Sequence, residues 1–306
     1  MHDIKICLLG GDTRQSSLAL YLAKAGYETA VWGISLPRDA SEKTTGFAGV
    51  KCTDPQSAVR GSRVVVLPLP ATADGVRIPS METNAQTPHM HDELRLTKLF
   101  EMLTPGTLLL AGKPNEVLKS MARDANVKLI DYYDCEEIQI KNAIPTAEGA
   151  IALAMKELPI TLYDADLTVL GYGRIGQRLA SILHALGAKV TVAARSQKDL
   201  TWAKIAGCNT QNITDYLNNP PAADVIFNTI PTPLLTKDVL EKLTDSTLII
   251  ELASAPGGVD PAAVRGCSKK IIRAASLPGR VAPYSAGKIL FETILRILKE
   301  EGVAPI

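Results

Sequence analysis

The segment Gly171-Tyr172-Gly173-Arg174-Ile175-Gly176 constrains the fold of this chain more than any other feature. It directly follows the apolar run Leu167 to Leu170, and a helical pattern from Arg174 to Leu186 comes after it. The three glycines permit a tight turn, a close approach of a pyrophosphate to the backbone, and close helix–strand packing. The phosphates then meet the unpaired N–H groups of the helix N-terminus. We therefore predict a dinucleotide-binding βαβ unit rather than a turn that serves packing alone.

The end of the next strand, predicted at Lys189 to Ala193, selects the cofactor. A site for NAD usually places an acidic side chain there to bind the ribose hydroxyls. The run Ala194-Arg195-Ser196-Gln197-Lys198 contains no acid. A guanidinium and a hydroxyl can instead hold a 2′-phosphate by charge-assisted hydrogen bonds. We therefore predict NADP, bound in part by Arg195 and Ser196; the alternative is that Arg195 is only a solvated surface residue.

Short apolar runs alternate with helical patterns along the whole chain, which predicts parallel sheets covered by helices. We expect an α/β protein with two Rossmann-like domains, parallel sheets, a cleft between the domains, and a C-terminal helix that packs back on the first. The predicted first domain covers 1–144, with 285–306 returning to it, and serves the substrate and dimerisation. The NADP-binding domain is predicted to cover 145–284. Pro145 suits the first turn of the helix that begins it, where a missing N–H costs nothing.

The composition excludes several other classes of protein. The net charge is +1, from 33 basic and 32 acidic residues, so the chain as a whole offers no strongly basic surface for nucleic acid or a membrane. The five cysteines are scattered, which favours free thiols in a reducing cytosol. No apolar run is long enough to span a membrane, and no signal peptide is evident, so we expect a cytoplasmic protein. We predict no metal: His89 and His91 lack a convincing third ligand and are expected to be exposed.

Loops that follow the later strands are expected to line the nicotinamide, because open α/β sheets bind ligands beyond the carboxyl ends of their strands. The first such loop, after the strand Val225 to Asn228, supplies Thr229, Ile230 and Pro231. The second, after the strand Leu248 to Glu251, supplies Ala253. We add Pro278 to the predicted cofactor contacts. The polar stretch 71–91 is either a functional lid or a structureless excursion.

Ordered motifs along the chain resemble those of the dipicolinate synthase A subunits. The motifs are Gly10-Gly11-Asp12-x-Arg14-Gln15, Ile144-Pro145-Thr146-x-Glu148-Gly149, Gly171-x-Gly173-Arg174, Ala194-Arg195-Ser196, Asn228-Thr229-Ile230-Pro231, Leu252-Ala253-Ser254-x-Pro256-Gly257-Gly258, Leu277-Pro278-Gly279-x-Val281-Ala282-Pro283 and Ala286-Gly287. Together they are far more specific than the glycine fingerprint alone. The segment from about Ile34 to Asn126 matches poorly, so nothing is carried over to its loops.

The resemblance implies an enzyme that acts in the mother cell of a sporulating bacterium. Such an enzyme oxidises a dihydrodipicolinate-type intermediate of the lysine pathway to dipicolinate, which is pyridine-2,6-dicarboxylate. The family is associated with NADP and with a second, flavoprotein-like B subunit. A homo-oligomer is expected on general grounds only.

A substrate with two carboxylates requires hydrogen-bond donors. Arg14 follows a glycine turn at a predicted helix N-terminus, which is a good anion site. The other predicted substrate contacts are Thr13, Gln15, Thr146, Ser254 and Arg280. Asp12 and Glu148 are the predicted proton acceptors. The alternative for the substrate contacts is an interdomain or capping contact, and an equally simple role for the two acids is to hold Arg14 and order its loop.

Two other interpretations compete with this one. A D-2-hydroxyacid dehydrogenase has a similar turn and layout, but that family would require an Arg after the strand Leu248 to Glu251 and a His near Pro278. Neither is present. The second alternative is a non-catalytic NADP-binding subunit, which the sequence does not exclude because no residue identifies itself as a nucleophile or metal ligand.

Overall fold

A computed structural model describes residues 2–36, 49–72, 74–81, 94–265 and 267–303. The chain forms two compact units, one of residues 1–139 with 278–306 and one of residues 140–277. The boundaries predicted at 144/145 and 284/285 thus lie a few residues beyond those of the units. His89, His91 and the second half of the 71–91 stretch lie outside the described residues.

The first unit is built on a six-stranded parallel sheet in the order β3-β2-β1-β4-β5-β6. Its inner strands are continuous apolar runs, as expected when helices cover both faces of a parallel sheet. The strands are β1 (His2–Leu9), β2 (Tyr27–Trp32), β3 (Val50–Lys51), β4 (Val64–Val66), β5 (Leu108–Ala111) and β6 (Lys128–Asp131). The helices that precede the first boundary of this unit are α1 (Thr13–Lys24), α2 (Pro55–Val59), α3 (Leu96–Met102) and α4 (Glu116–Asp124).

Helix α5 (Glu136–Glu157) contains the boundary between the units. The second unit has its own six-stranded parallel sheet, in the order β12-β11-β10-β7-β8-β9. Its strands are β7 (Asp166–Leu170), β8 (Lys189–Ala194), β9 (Asn209–Asn212), β10 (Val225–Asn228), β11 (Leu248–Glu251) and β12 (Lys270–Arg273). Its helices are α6 (Arg174–Ala185), α7 (Gln197–Ile205), α8 (Ile213–Asn218), α9 (Lys237–Lys242) and α10 (Pro261–Val264), and α11 (Leu277–Val281) follows at the second boundary.

Each sheet has one point where the strand order reverses, and this point determines where a ligand can bind. In the first sheet it lies between β1 and β4, and in the second between β7 and β10. Open α/β sheets bind ligands outside the carboxyl ends of the strands at such a point. The two glycine turns, Gly10-Gly11 and Gly171 to Gly176, follow β1 and β7 directly, so each stands at a reversal point.

The helix predicted to begin at Pro145 begins nine residues earlier, so the prediction of its N-terminus was wrong. Pro145 lies inside α5. A proline within a helix removes one backbone hydrogen bond, which usually favours a start at that residue. Here the preceding turns are fixed by burial of Ile138 and Ala143. The tertiary packing of these side chains therefore outweighs the local signal from the proline.

The C-terminal helix α12 (Pro283–Glu300) packs on α1 within the first unit, which confirms the predicted return of the chain. Leu290 and Ile294 are buried in the same core as Leu18 and Leu22. A Cβ on Gly287 would lie 2.4 Å from the Cβ of Ser17, so the helices approach too closely there for a larger residue.

Two edge strands were missed by the sequence analysis because neither is apolar. Val50–Lys51 has only two residues, both exposed, and Asn209–Asn212 is entirely polar. Short, polar edge strands also present little surface for unwanted strand pairing. All five cysteines are free thiols, of which Cys7 and Cys208 are buried.

Candidate functional site

The turn after β7 has a geometry that requires glycine at its first position. Gly171 has φ +90, and its N–H donates to the carbonyl of Ala193 at 2.8 Å. The hydroxyl of Thr229 donates to the carbonyl of Leu170 at 2.7 Å. A Cβ on Gly171 would lie 2.5 Å from Oγ1 of Thr229. Thr229, predicted to contact the cofactor, therefore also braces this turn.

The other two glycines of the fingerprint have different surroundings. A Cβ on Gly176 would lie 2.2 Å from the carbonyl oxygen of Gly171, so helix and turn are in close contact. A Cβ on Gly173 would meet no described atom within 4 Å. Gly173 is also the N-cap of α6, and no side chain caps the helix there. The turn therefore leaves open space and uncapped backbone N–H groups where a pyrophosphate would bind, so these residues fit a dinucleotide.

The residues predicted to select NADP lie at the carboxyl end of β8. Arg195 and Ser196 follow Ala194, the last residue of the strand, and both are exposed. The hydroxyl of Ser196 accepts a hydrogen bond from the N–H of Asp199 at 3.4 Å and caps α7. A long bond of this kind leaves the hydroxyl able to donate a hydrogen bond to a ligand.

A buried carboxylate, missed by the sequence analysis, organises the loops after β10 and β11. The side chain of Asn228 donates to both carboxylate oxygens of Glu251, at 2.9 and 3.1 Å. The backbone N–H groups of Ala253, Gly258 and Val259 donate to the same carboxylate at 2.9 to 3.0 Å. In the sequence, the signal was that the apolar strand β10 ends in Asn228 and the apolar strand β11 ends in Glu251. The structure shows that these two strands are neighbours.

This carboxylate holds the segment 252–259 against the segment 228–231. These segments contain the two loops predicted to line the nicotinamide, 252–256 and 228–231. Ala253 is half-buried and bonded to Glu251 through its N–H. Ile230 is half-buried, and its carbonyl accepts from Asn228 at 3.1 Å. Pro231 and Ser254 are exposed. All lie in the second unit, whereas Pro278 falls in the first.

In the first unit, the turn after β1 brings Asp12 and the buried Arg14 into a partly buried ion pair. Nε and Nη2 of Arg14 both donate to the Asp12 carboxylate, at 2.7 to 3.0 Å, and Asp12 also caps α1 by accepting from the N–H of Arg14. Nη2 donates to the carbonyl of Leu69 as well. Burial acts to lower the pKa of Arg14, but the hydrogen bonds and the charge of Asp12 outweigh it, so the pKa is raised and the guanidinium stays charged.

Gln15 lies beneath this turn in a buried polar cluster. Its Nε2 donates to the carbonyl of Leu67 at 3.0 Å, and the hydroxyl of Tyr132 donates to the same carbonyl at 3.0 Å. Oε1 of Gln15 is buried and has no hydrogen-bond partner among the described residues. Burial raises the pKa of Tyr132 well above its usual range, so the phenol stays protonated.

The remaining predicted substrate residues divide between the units. The hydroxyl of Thr13 donates to the carbonyl of Gly279, and Arg280, the next residue, is exposed in the same unit. Thr146 and Glu148 lie on α5 in the second unit. The Thr146 hydroxyl donates to the carbonyl of Asn142 at 2.8 Å, which is a structural contact, while Glu148 is exposed.

Two classes of feature were not found within the described parts of the chain. No group of three His, Cys, Asp or Glu side chains is arranged to hold a metal ion there. None of the helices described there has the length and apolar character needed to cross a membrane.

Comparison with protein families matches the two units to different models. Residues 5–133 match the N-terminal domain of the dipicolinate synthase A subunit. Residues 145–277 match the NAD-binding domain of D-isomer specific 2-hydroxyacid dehydrogenases. The second match agrees with the geometry of the Gly171 turn, and the second unit is a nicotinamide dinucleotide-binding domain.

Relatives that match almost the whole chain indicate the same family. The dipicolinate synthase A subunit of Bacillus subtilis (strain 168) is 31% identical over 98% of this chain and 97% of its own. The crystal structure of the dipicolinate synthase A subunit from Bacillus halodurans is 27% identical, covers 97% of this chain and 98% of its own, and has a TM-score of 0.83. A transhydrogenase from Sinorhizobium meliloti, at 13% identity over 98% of this chain and 95% of its own and a TM-score of 0.72, shares the fold. The chain is an NAD(P)-dependent oxidoreductase and belongs to the family of dipicolinate synthase A subunits.

Proposed function

We propose that this chain oxidises a dihydrodipicolinate-type intermediate to dipicolinate with NADP as the acceptor. The observation that carries the proposal is the 31% identity to a dipicolinate synthase A subunit over 98% of the chain. The open space at Gly173 and the uncapped N-terminus of α6 support it, because a dinucleotide can bind there without displacing a side chain.

The reaction removes a hydride and a proton from a partly saturated ring and leaves an aromatic pyridine. NADP, when bound, supplies the hydride acceptor at its nicotinamide. The task of the protein is then to orient the ring, to hold its carboxylates and to accept the proton. Segments 228–231 and 252–259, fixed by Glu251, are proposed to shape the surface on which the nicotinamide rests.

The substrate carboxylates are proposed to bind Arg14, with Thr13, Gln15, Thr146, Ser254 and Arg280 as further contacts. Arg14 is held rigidly by Asp12 and Leu69, which limits the entropy lost when an anion binds. Both oxygens of Asp12 already accept hydrogen bonds from Arg14. Because Glu148 is exposed, we favour it over Asp12 as the proton acceptor.

We propose the biological setting from membership of the same family. We place the reaction in the cytoplasm of the mother cell during sporulation, at a branch of the lysine pathway. A flavoprotein-like B subunit is the proposed partner, and a homo-oligomer is the proposed assembly. Nothing in this setting requires a membrane or nucleic acid.

A coupled assay tests the proposed function. Purified chain, with and without the B subunit, is mixed with NADP and the freshly formed product of dihydrodipicolinate synthase. We expect dipicolinate, followed by chromatography, and NADPH, followed by absorbance, to rise together above the rate without enzyme. If neither product exceeds that background although NADP binds, the chain is a nucleotide-binding protein without this activity.

Cofactor choice is tested by Arg195→Ala. We expect the variant to bind NADP about tenfold or more weakly, since one charge-assisted hydrogen bond to the 2′-phosphate is worth about 1.5 to 3 kcal/mol. The affinity for NAD should change little. Lys204→Ala, at an exposed lysine on α7, is the control and should bind both nucleotides as the wild type does. An unchanged preference in Arg195→Ala would contradict the assignment of NADP to this residue.

The role of Arg14 is tested by Arg14→Met combined with Asp12→Asn. Removing both charges avoids leaving Asp12 unpaired at a partly buried site. We expect the double variant to fold, to bind NADP normally and to lose at least about a hundredfold in kcat/KM, through the lost anion contact. Asp12→Asn alone keeps the guanidinium and should lose less than about tenfold, which separates the role of Arg14 from proton transfer to Asp12. Wild-type kcat/KM in a folded double variant would show that the ion pair is only structural.

A further inference from the structure

Lys113 stands directly beyond β5 in the first unit, in a conformation that is unusual for its residue type. Its φ is 51°, in the left-handed region that favours glycine. It comes after Gly112, just past the carboxyl end of β5, and β5 pairs with β4 in the sheet. A residue held in this region costs free energy, and such residues cluster at functional sites. A glycine would fit the turn better, so the side chain of Lys113 calls for an explanation.

Hydrogen bonds to Asp131 hold this turn in place, and the Lys113 side chain remains exposed. The carboxylate of Asp131 accepts from the N–H of Lys113 at 3.0 Å and from the N–H of Tyr133 at 2.8 Å. The ammonium of Lys113 lies 4.7 Å from the centroid of the Tyr133 ring, a cation–π contact. Lys113 is exposed, and its ammonium forms no ion pair within the described part of the chain.

The same turn is linked to Arg14 through the segment after β4. Nη2 of Arg14 donates to the carbonyl of Leu69. A Cβ on Gly112 would lie 2.8 Å from Cβ of Leu69, and the N–H of Gly112 donates to the carbonyl of Pro68 at 3.1 Å. Arg14 and Lys113 therefore flank one short segment at the point where the strand order reverses.

Charge balance distinguishes the two cations. Arg14 is already paired with Asp12, so the pair presents little net charge to a ligand. A ligand with two carboxylates carries two negative charges, and a second cation beside Arg14 improves the balance of charge. An ammonium that carries no ion pair and rests on an aromatic ring can be this second cation.

We propose that Lys113 binds one carboxylate of a dicarboxylate substrate, while the turn after β1, which carries Arg14, binds the other. This inference rests on the proposed function and adds to it the residue that distinguishes a dicarboxylate from a monocarboxylate. Lys113 was not among the predicted site residues because its segment resembles the family only poorly.

Calorimetric titration of the full chain, loaded with NADP, tests the inference with two probes. The probes are pyridine-2,6-dicarboxylate and pyridine-2-carboxylate, which differ by one carboxylate. We expect Lys113→Met to weaken binding of the dicarboxylate about 10- to 100-fold and of the monocarboxylate less than about threefold. Lys119→Met, at a half-buried lysine of α4 that pairs with Glu116, is the matched control and should leave both affinities unchanged.

Lys113→Gly separates binding from folding. Glycine suits φ 51°, so the unfolding midpoint of Lys113→Gly should not fall below that of the wild type. The variant should nevertheless lose affinity for the dicarboxylate as Lys113→Met does. If both variants bind the dicarboxylate as tightly as the wild type, the role of Lys113 is excluded while the proposed function stands. If the wild type itself binds neither probe, the substrate class is wrong and this inference fails with it.

Discussion

Glu251→Ala is expected to lower the free energy of unfolding of the second unit by about 4 kcal/mol. The Glu251 carboxylate accepts from Asn228 and from three backbone N–H groups in a buried site. Each buried donor left without an acceptor costs about 1 to 3 kcal/mol, and water that enters the space left by the side chain recovers part of this. Glu251→Gln should be damaging too, because its amide NH₂ would face N–H donors in either orientation.

Chemical denaturation measures the loss, and hydrogen exchange locates it. The amides of Ala253, Gly258 and Val259 should lose protection first in Glu251→Ala, since all three donors lose their acceptor. Glu241→Gln is the control, because Glu241 is exposed and forms only a surface ion pair with Lys237, so a change below about 1 kcal/mol is expected. Equal stability of the two Gln variants would refute the role given to Glu251.

Gly176→Ala and Gly173→Ala are expected to differ in stability, but both should bind the nucleotide more weakly than the wild type. The Cβ at position 176 would lie 2.2 Å from a backbone oxygen, so helix and turn must move apart, at a cost of about 1 to 3 kcal/mol. The Cβ at position 173 meets open space, so the free chain should lose less than about 1 kcal/mol. That Cβ nevertheless fills the place where the pyrophosphate approaches the backbone.

Both variants should therefore bind NADP at least about tenfold more weakly, as titration with the nucleotide would show. Only Gly176→Ala should also lower the unfolding midpoint of the free chain. A Gly173→Ala variant that binds NADP like the wild type would contradict the placement of the pyrophosphate. A Gly176→Ala variant of unchanged stability would contradict the close contact of helix and turn.

The sequence predicted the parts of the fold that depend on local patterns. The turn at Gly171 was recognisable because strand, glycines and helix are contiguous, and the return of α12 followed from its regular apolar face. The start of α5 was wrong because burial of Ile138 and Ala143, which depends on the tertiary fold, outweighs the signal of Pro145. The strands β3 and β9 were missed because an edge strand needs no apolar pattern.

The candidate site was less predictable because its contacts join residues that are distant in the sequence. Asp12 and Arg14 are close in the chain, and their pairing was considered as an alternative. Glu251 and Asn228 belong to different strands, and only the order of the sheet makes them neighbours. Lys113 becomes noticeable only through its backbone conformation and its contact with Tyr133.

The proposed hydride transfer is tested most directly by isotope transfer from the substrate. The dihydrodipicolinate-type intermediate is prepared with deuterium at its saturated ring carbons and incubated with the chain and NADP, with the B subunit present. Mass spectrometry of the recovered nucleotide then reports the origin of the hydrogen. The account predicts NADPH that carries one deuterium, in an amount equal to the dipicolinate formed. Dipicolinate formed without deuterated NADPH would contradict hydride transfer to this cofactor and assign the oxidation to another acceptor.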